Sequence, residues 1–554
     1  MNVGIAYYPE HCEPRRWAVD YRLLADAGIT MIRIAEFAWS AMEPSEGQYD
    51  WKWLDDSIAL AAEYGIGVVL CTPTACPPIW LTEQYPEVLP VHKNGQAVTF
   101  GARQHRSYHS PKYLEHSCRI VEKMAERYGA HPNVLAWQLD NEYGGEVKYD
   151  FGPCAKQAFH RYLEDRHGTI EALNASWGTI FWSQRYDRFD QIPLPAPIQS
   201  DLMMWHHPSL ELEFARFSSN GIVEFARAQT RILRKYTGDR PITTNAFMFS
   251  WGDNVNWAEL FAELDVAGVD IYSGDEYEIA FYCDAARGAL ARPFWIMEFG
   301  ASSPELDRKL ELVSQRGCSQ FFLFKMKPFP WGQEQAQGRG ELLTITGEPA
   351  RNYGVVQQYT RQLDTKKQEA KYQDPQPTGA PGSADPGRSA AKLALYYHFD
   401  SSWCYQLSVG DRLHYPDYVV KTVYRSMYEA HDGLIDVLYS ADQLGEHEVV
   451  VIPLHTIYDA ALEERLIAYV HAGGKLVVTA DLFRKNQHNV YLAEVPRLFR
   501  ELLAWQPNNF ILDAIDTRQS ILIAHEYGAG GTWVVPRDAS NEEWLETMAV
   551  VLKA

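Results

Sequence analysis

The sequence predicts an α/β protein: an eight-stranded (β/α)8 TIM barrel followed by a smaller doubly wound α/β domain and a short C-terminal β segment. Three observations carry this. From residue 1 to about 362, short apolar runs alternate with amphipathic stretches, the pattern of parallel strands covered by helices. Eight such runs in that span match a barrel with insertions. The texture then breaks at a Pro-, Gly- and charge-rich stretch, and a second, shorter alternation begins.

Taken in order, the barrel strands are expected at Val3–Tyr8, Met31–Ile34, Gly67–Cys71, Val134–Leu139, Pro241–Thr244, Val266–Ile271, Phe294–Met297 and Gln320–Phe324. Helices are expected at Trp51–Tyr64, Tyr113–Tyr128, Pro304–Arg316 and Pro349–Leu363. A long insertion, from about Val147 to Gly238, separates strands four and five and holds Trp177, Trp182 and Trp205. The barrel is thus assigned to 1–362 and a linker to 363–391. The second α/β domain spans 392–505, with strands at Leu393–Tyr397, Ile435–Leu438, Val449–Ile452 and Lys475–Thr479 and helices at Asp417–Ala430 and Ala460–His471. It has neither G-x-G-x-x-G nor G-x-x-x-x-G-K-[ST], so nucleotide binding has no support. The remainder, 506–554, reads as two strand-like runs, Phe510–Leu512 and Trp533–Pro536, too few for a core of their own.

Composition narrows the function. With 51 Lys+Arg against 72 Asp+Glu the formal charge is −21, and no basic stripe is present to follow a phosphate backbone. No apolar run approaches the ~18–20 residues that span a bilayer. The N-terminus lacks a basic n-region and an apolar h-region, so a cytoplasmic location is expected. Eight cysteines are scattered without a C-x-x-C, which signals neither zinc nor a redox pair. H-E-x-x-H and G-x-S-x-G are also absent.

Barrel enzymes place their chemistry at the C-terminal ends of the strands. Two of those ends carry glutamates. The fourth strand runs into Asp140-Asn141-Glu142-Tyr143, and the seventh into Glu298-Phe299-Gly300. Strands three apart in an eight-membered ring face each other across the mouth. Two carboxyl groups so placed are what glycosidic bond cleavage requires: one attacks the anomeric carbon, the other protonates the leaving oxygen and then deprotonates water.

Several segments, in order, resemble glycoside hydrolase family 42, the β-galactosidases of the retaining clan with glutamates after strands four and seven. They are Tyr7-Tyr8-Pro9-Glu10, Arg33-Ile34-Ala35-Glu36-Phe37-Ala38-Trp39-Ser40, Glu43-Pro44-Ser45-Glu46-Gly47, Thr72-Pro73-Thr74-Ala75, Phe100-Gly101-Ala102-Arg103 and Trp137-Gln138-Leu139-Asp140-Asn141-Glu142-Tyr143-Gly144. The resemblance implies that Glu142 is the general acid/base and Glu298 the nucleophile. It places Asn141 on the sugar 2-hydroxyl and Arg103 at the same end of the ring. Tyr272, at the end of strand six, is positioned to orient the nucleophile. Glu36 and Trp39 are expected in the pocket wall. Burial and a neighbouring carboxylate should raise the pKa of Glu142, while Arg103 or Tyr272 would hold Glu298 ionised. The second domain resembles the family's flavodoxin-like domain, which implies a homotrimer.

The sequence also departs from that family. Its four-cysteine metal cluster has Ser107 in one position and only Cys154 downstream, so no structural zinc and no cofactor is expected. After strand eight, where a Glu and a His grip galactose, Glu334 fills the first position and Gln337 stands in the second. Trp331 is positioned to stack on a sugar face. Lys325 and Lys327 read as snorkelling surface lysines, or as partners for a carboxylate or sulfate on the substrate. The implied activity is a retaining exo-β-galactosidase acting on short galactosides. The alternatives are the same mechanism on a β-glucoside, β-mannoside, α-L-arabinopyranoside or uronate-bearing sugar, or a barrel that binds carbohydrate without cleaving it. The expected partner is a small carbohydrate, with no nucleic acid and no membrane.

Overall fold

The structure is a computed structural model that describes residues 1–196, 206–249, 252–335, 340–373, 392–407, 413–431, 433–502, 523–527 and 530–553. They form two units. The first comprises Met1–Val91, Ala97–Asp150 and Gly221–Asp385, and the second His92–Gln96, Phe151–Asn220 and Pro386–Ala554.

The first unit is the barrel. Its strands are β1 (Asn2–Ala6), β2 (Met31–Ile34), β3 (Gly67–Cys71), β4 (Val134–Leu139), β5 (Ile242–Thr244), β6 (Gly268–Ile271), β7 (Phe294–Gly300) and β8 (Cys318–Phe324). They pair in parallel in the order β5-β4-β3-β2-β1-β8-β7-β6. The ring closes between β5 and β6 at Ala246, two residues beyond the end of β5. Ala246 donates its N–H to the Gly268 carbonyl (2.9 Å) and accepts from the Asp270 N–H (3.0 Å). This seam is tight: a Cβ on Gly268 would lie 2.2 Å from the Thr244 carbonyl oxygen.

The interior is filled by side chains. Val69, Ala136, Met297 and Phe322 form one buried layer, and β3 is buried along its whole length, as a strand covered on both faces requires. Burying a side chain such as Phe322 contributes roughly 2 kcal/mol. Outside the ring, the helix Lys52–Glu63 turns Leu54, Ile58 and Ala61 inward at helical spacing. The helix Pro111–Tyr128 starts where Ser110 Oγ accepts the Tyr113 N–H (3.2 Å), with Pro111 in its first turn. One strand departs from expectation in a useful way. β7 continues through Glu298 to Gly300, because its register with β6 and β8 slips around Met297 and Glu298. Such a bulge re-aims a side chain while the strand continues.

The helix Tyr353–Gln373 occupies the first part of 363–391, and residues 374–391 lie outside the described ones, as do Trp205, Gln337 and Phe510–Leu512. In the second unit, helices Pro153–His167 and Ile170–Trp177 of the insertion belong with a six-stranded α/β domain. Its strands are β9 (Leu393–Tyr396), β10 (Ile435–Leu438), β11 (Val449–Ile452), β12 (Lys475–Thr479), β13 (Ile523–Tyr527) and β14 (Gly530–Val535), in the order β10-β9-β11-β12-β14-β13. Among the described residues, β13 pairs antiparallel with β14 and the other pairings are parallel. The described part of 506–554 therefore contributes two strands to this sheet and ends in the helix Asn541–Val551, capped by Ser540 and Glu543.

Candidate active site

The site is assembled at the C-terminal ends of β2, β4, β5, β6 and β7. Beyond β4 the chain turns sharply, with Asp140 and Glu142 both left-handed at φ of 52° and 46°. Such backbone costs on the order of 1–3 kcal/mol per residue and persists only where surroundings hold it. Here they do. Asp140 pairs with buried Arg106 (2.5 Å) and accepts from Thr74 Oγ1 (2.6 Å) and the Asn141 N–H (2.7 Å). Gln104 Nε2 donates to the Asn141 carbonyl (2.8 Å), and the Glu142 N–H donates to Asn245 Oδ1 (3.1 Å).

The turn delivers Glu142 to face Glu298 on the bulge of β7. Carboxylate oxygens of Glu142, Glu298 and Asp270, the last from β6, lie within 4.8 Å of one another, and all three residues are buried. Their environments differ. Glu298 accepts from Tyr272 Oη (2.5 Å) and Asn245 Nδ2 (3.2 Å) and forms an ion pair with Arg33 (2.6 Å). Arg33, from β2, is fully buried and also pairs with Glu36 (2.7 Å), which in turn accepts from Tyr8 Oη (2.7 Å). Glu142 accepts from Asn141 Nδ2 (3.1 Å) and pairs with Arg103 (2.7 Å), which also holds Glu146 (2.9 Å) and approaches Glu334 (4.0 Å). Burial first, and the charge of Glu298 second, raise the Glu142 pKa to about 7 against the pull of Arg103. Burial beside Glu298 raises the Tyr272 phenol well above its ordinary value, so it remains a donor.

A family model described as β-galactosidase matches residues 6–338, more than half of the chain. This chain belongs to glycoside hydrolase family 42. A second model, the β-galactosidase trimerisation domain, matches residues 391–539. A β-galactosidase of Halorubrum lacusprofundi is 31% identical over 513 residues, covering 86% of this chain and 69% of its own. A β-galactosidase of a Thermus species is 41% identical over 318 residues, 53% of this chain and 48% of its own. The solved structure of the polyextremophilic Halorubrum enzyme superposes with a TM-score of 0.86 at 26% identity, covering 100% of this chain and 89% of that one.

Within this family-42 barrel the expected residues divide. Glu142, Glu298, Asn141, Arg103 and Tyr272 converge, and Glu334 comes to Arg103. Trp331 stands 59% exposed on the loop after β8. Arg103 pairs with Glu142, and the cation on Glu298 is Arg33. Trp39 is fully buried, its Nε1–H bonded to Glu43 (2.9 Å), and Glu36 is fully buried against Arg33. Lys325 is 2% exposed, with Nζ 3.3 Å from the Phe329 ring centroid. Lys327 is spent on buried Asp20, which also receives Tyr7 Oη (3.2 Å). Neither lysine snorkels to the surface.

Three residues to which the sequence assigns no role join the site: Arg33 and Asn245 bond Glu298 directly, and Asp270 brings a carboxylate oxygen within 4.8 Å of both glutamates. Their signal was present: Arg33 and Asp270 are charges inside runs that otherwise read as buried strand. The donors at the family's metal position do not suit a thiolate site. Ser107 Oγ donates to Asp150, whose other oxygen accepts the Val91 N–H (2.8 Å). Elsewhere, His167, Glu213 and His488 also bring ligand atoms within 4.8 Å. Both Glu213 oxygens are already engaged, by Arg216 (2.7 Å) and Arg166 (3.0 Å), which makes that cluster an ion-pair hub.

Proposed function

We propose that this family-42 enzyme is a retaining exo-β-galactosidase that works by double displacement. The observation carrying this reading is the approach of the Glu142 and Glu298 carboxylates to within 4.8 Å. Retaining enzymes separate their carboxyl groups by ≈5–5.5 Å, and inverting ones by ≈6.5–9.5 Å to admit a water between them, so an approach this close supports retention.

In the first step a Glu298 oxygen attacks the anomeric carbon from the face opposite the leaving group. The glycosidic C–O bond breaks, and Glu142 gives its proton to the departing oxygen. Three donors on Glu298 hold its charge and aim it. Glu142, raised to about 7, carries the required proton near neutrality. Esterification then removes the Glu298 charge, so Glu142 ionises more readily against Arg103. It takes a proton from water, water attacks the anomeric carbon, and Glu298 is released with the β configuration retained. Asn141 is suited to the sugar 2-hydroxyl, Arg103 and Glu334 to the polar edge of the ring, and Trp331 to stacking. The domain at 392–505 supports a homotrimer, and no described helix is long and apolar enough to cross a membrane.

The test is a panel of p-nitrophenyl glycosides with wild type, Glu142→Gln and Glu298→Gln. The β-galactoside should be cleaved, both variants should lose activity, and azide should rescue Glu298→Gly as the α-glycosyl azide. Cleavage of a different glycoside would move the sugar assignment while leaving the glutamates in place. Binding without cleavage of any glycoside would overturn the catalytic reading. Light scattering giving a 63.3 kDa monomer at micromolar concentration would overturn the trimer.

A further inference from the structure

The third carboxyl group at the site has no place in the mechanism above. Asp270 leaves β6 paired opposite Glu298 and is 2% exposed. Its Oδ2 accepts one hydrogen bond, from Asn245 Nδ2 (2.8 Å). Its Oδ1 is buried and without a partner. A buried carboxylate oxygen lacking any donor is costly, whereas a carboxylic acid in the same place carries no net charge.

Counting charges around it leads the same way. The groups facing Asp270 are Glu298 from β7, Glu142 from the end of β4, Arg33 from β2, the neutral Asn245 after β5, and the Tyr272 phenol, whose proton goes to Glu298. Both nearby cations are already engaged, Arg33 by Glu36 and Glu298, and Arg103 by Glu142 and Glu146. Asn245 has two amide hydrogens for three acceptors: Asn141 Oδ1 (2.9 Å), Asp270 Oδ2 (2.8 Å) and Glu298 Oε1 (3.2 Å). An ionised Asp270 would compete with the nucleophile for that amide and would be a third negative charge within 4.8 Å.

We propose that Asp270 functions as a permanently neutral carboxylic acid beneath the catalytic pair, positioning Asn245 while leaving Arg33 and the negative charge to Glu298. This deepens the glycosidase reading and rests on it for its catalytic meaning. Asp270 is a positioning residue and transfers no proton to substrate. Burial and the two glutamates act in the same direction, holding its pKa well above the ordinary carboxylate value.

The test has two arms. In the first, infrared difference spectra of the whole protein, with and without [4-13C]aspartate, are recorded at about pH 9, where Asp481, raised to about 6, is ionised. A protonated-carboxyl C=O band that shifts with the aspartate label is expected, and Asp270→Asn should remove it. Absence of any such band in wild type overturns the proposal, even if the variant does not fold and whether or not a galactoside is cleaved. The second arm is the pH profile of kcat/KM. Asn mimics a neutral acid, so in Asp270→Asn the alkaline limb set by Glu142 should stay within about 0.3 pH unit of wild type. An ionised Asp270 predicts instead that its removal lowers that limb by about one unit or more, and that result would overturn the proposal.

Discussion

Replacing Glu142 by Gln should make the barrel more stable, and increasingly so as pH rises. Burial lifts the Glu142 pKa from 4.5 to about 7. A carboxyl whose folded pKa is raised contributes its stability in full below the unfolded value, then loses it as pH climbs through the folded value. Here the loss falls between about pH 4.5 and 7. At 1.36 kcal/mol per pH unit, the interval from 4.5 to about 7 corresponds to about 3 kcal/mol by pH 8. Gln cannot ionise, so the variant escapes this penalty. At pH 4.5 the comparison is between two neutral side chains of similar size, and any packing difference appears there alone. The quantity to measure is therefore the variant-minus-wild-type difference in melting temperature at pH 4.5 and at pH 8. With an unfolding entropy near 2.1 cal/mol/K per residue over the barrel, about 3 kcal/mol corresponds to a gain of about 4 °C between the two pH values. A difference that stays constant, or that falls with pH, would refute the argument. It would mean that the Arg103 pair, at 2.7 Å, outweighs burial and already ionises Glu142 in acid.

Three further substitutions test the ion pairs and hydrogen bonds described above. Tyr272→Phe removes a 2.5 Å hydrogen bond to a charged carboxylate, worth about 1.5–3 kcal/mol, so kcat should fall about 10- to 100-fold with KM little changed; steady-state kinetics on the β-galactoside reads this directly. Arg33→Met strands Glu36 and Glu298 in a buried site, and calorimetry should show a loss of about 3–5 kcal/mol together with the loss of turnover. Lys327→Met leaves Asp20 buried without its cation and should cost about 3 kcal/mol. The ratio of kcat/KM for a sulfated over a neutral galactoside should stay within about twofold, because that ammonium is not facing substrate; a large drop in the ratio would return Lys327 to the sugar site.

Legibility in the sequence followed how local each signal was. The strands could be found because a strand covered on both faces must be apolar throughout, as in Gly67–Cys71 and Val449–Ile452. Glu142 and Glu298 could be found because polar residues directly after such runs fall at the barrel mouth. Partners contributed from across the ring could not be found this way. That Arg33 meets Glu298, 265 positions later in the chain, depends on the tilt of the strands and the bulge in β7, neither of which is written in any one segment. The same holds for Lys327 and Asp20, and for the choice of Arg103 between two glutamates. A charge interrupting an apolar run, as in Met31-Ile32-Arg33-Ile34 and Val269-Asp270-Ile271, is the local trace that such a partner leaves.

The closure of the ring has a dynamic consequence. β5 and β6 meet through the two hydrogen bonds of Ala246, and Asn245 is the residue just before it. Any fluctuation that unzips this short join must therefore also swing away the amide that links Glu298, Asp270 and Asn141. Amide exchange at Ala246 and Asp270 would then report how often Glu298 loses one of its three supports. Barrel breathing and the electrostatics around Glu298 become one motion, timed by a single peptide link.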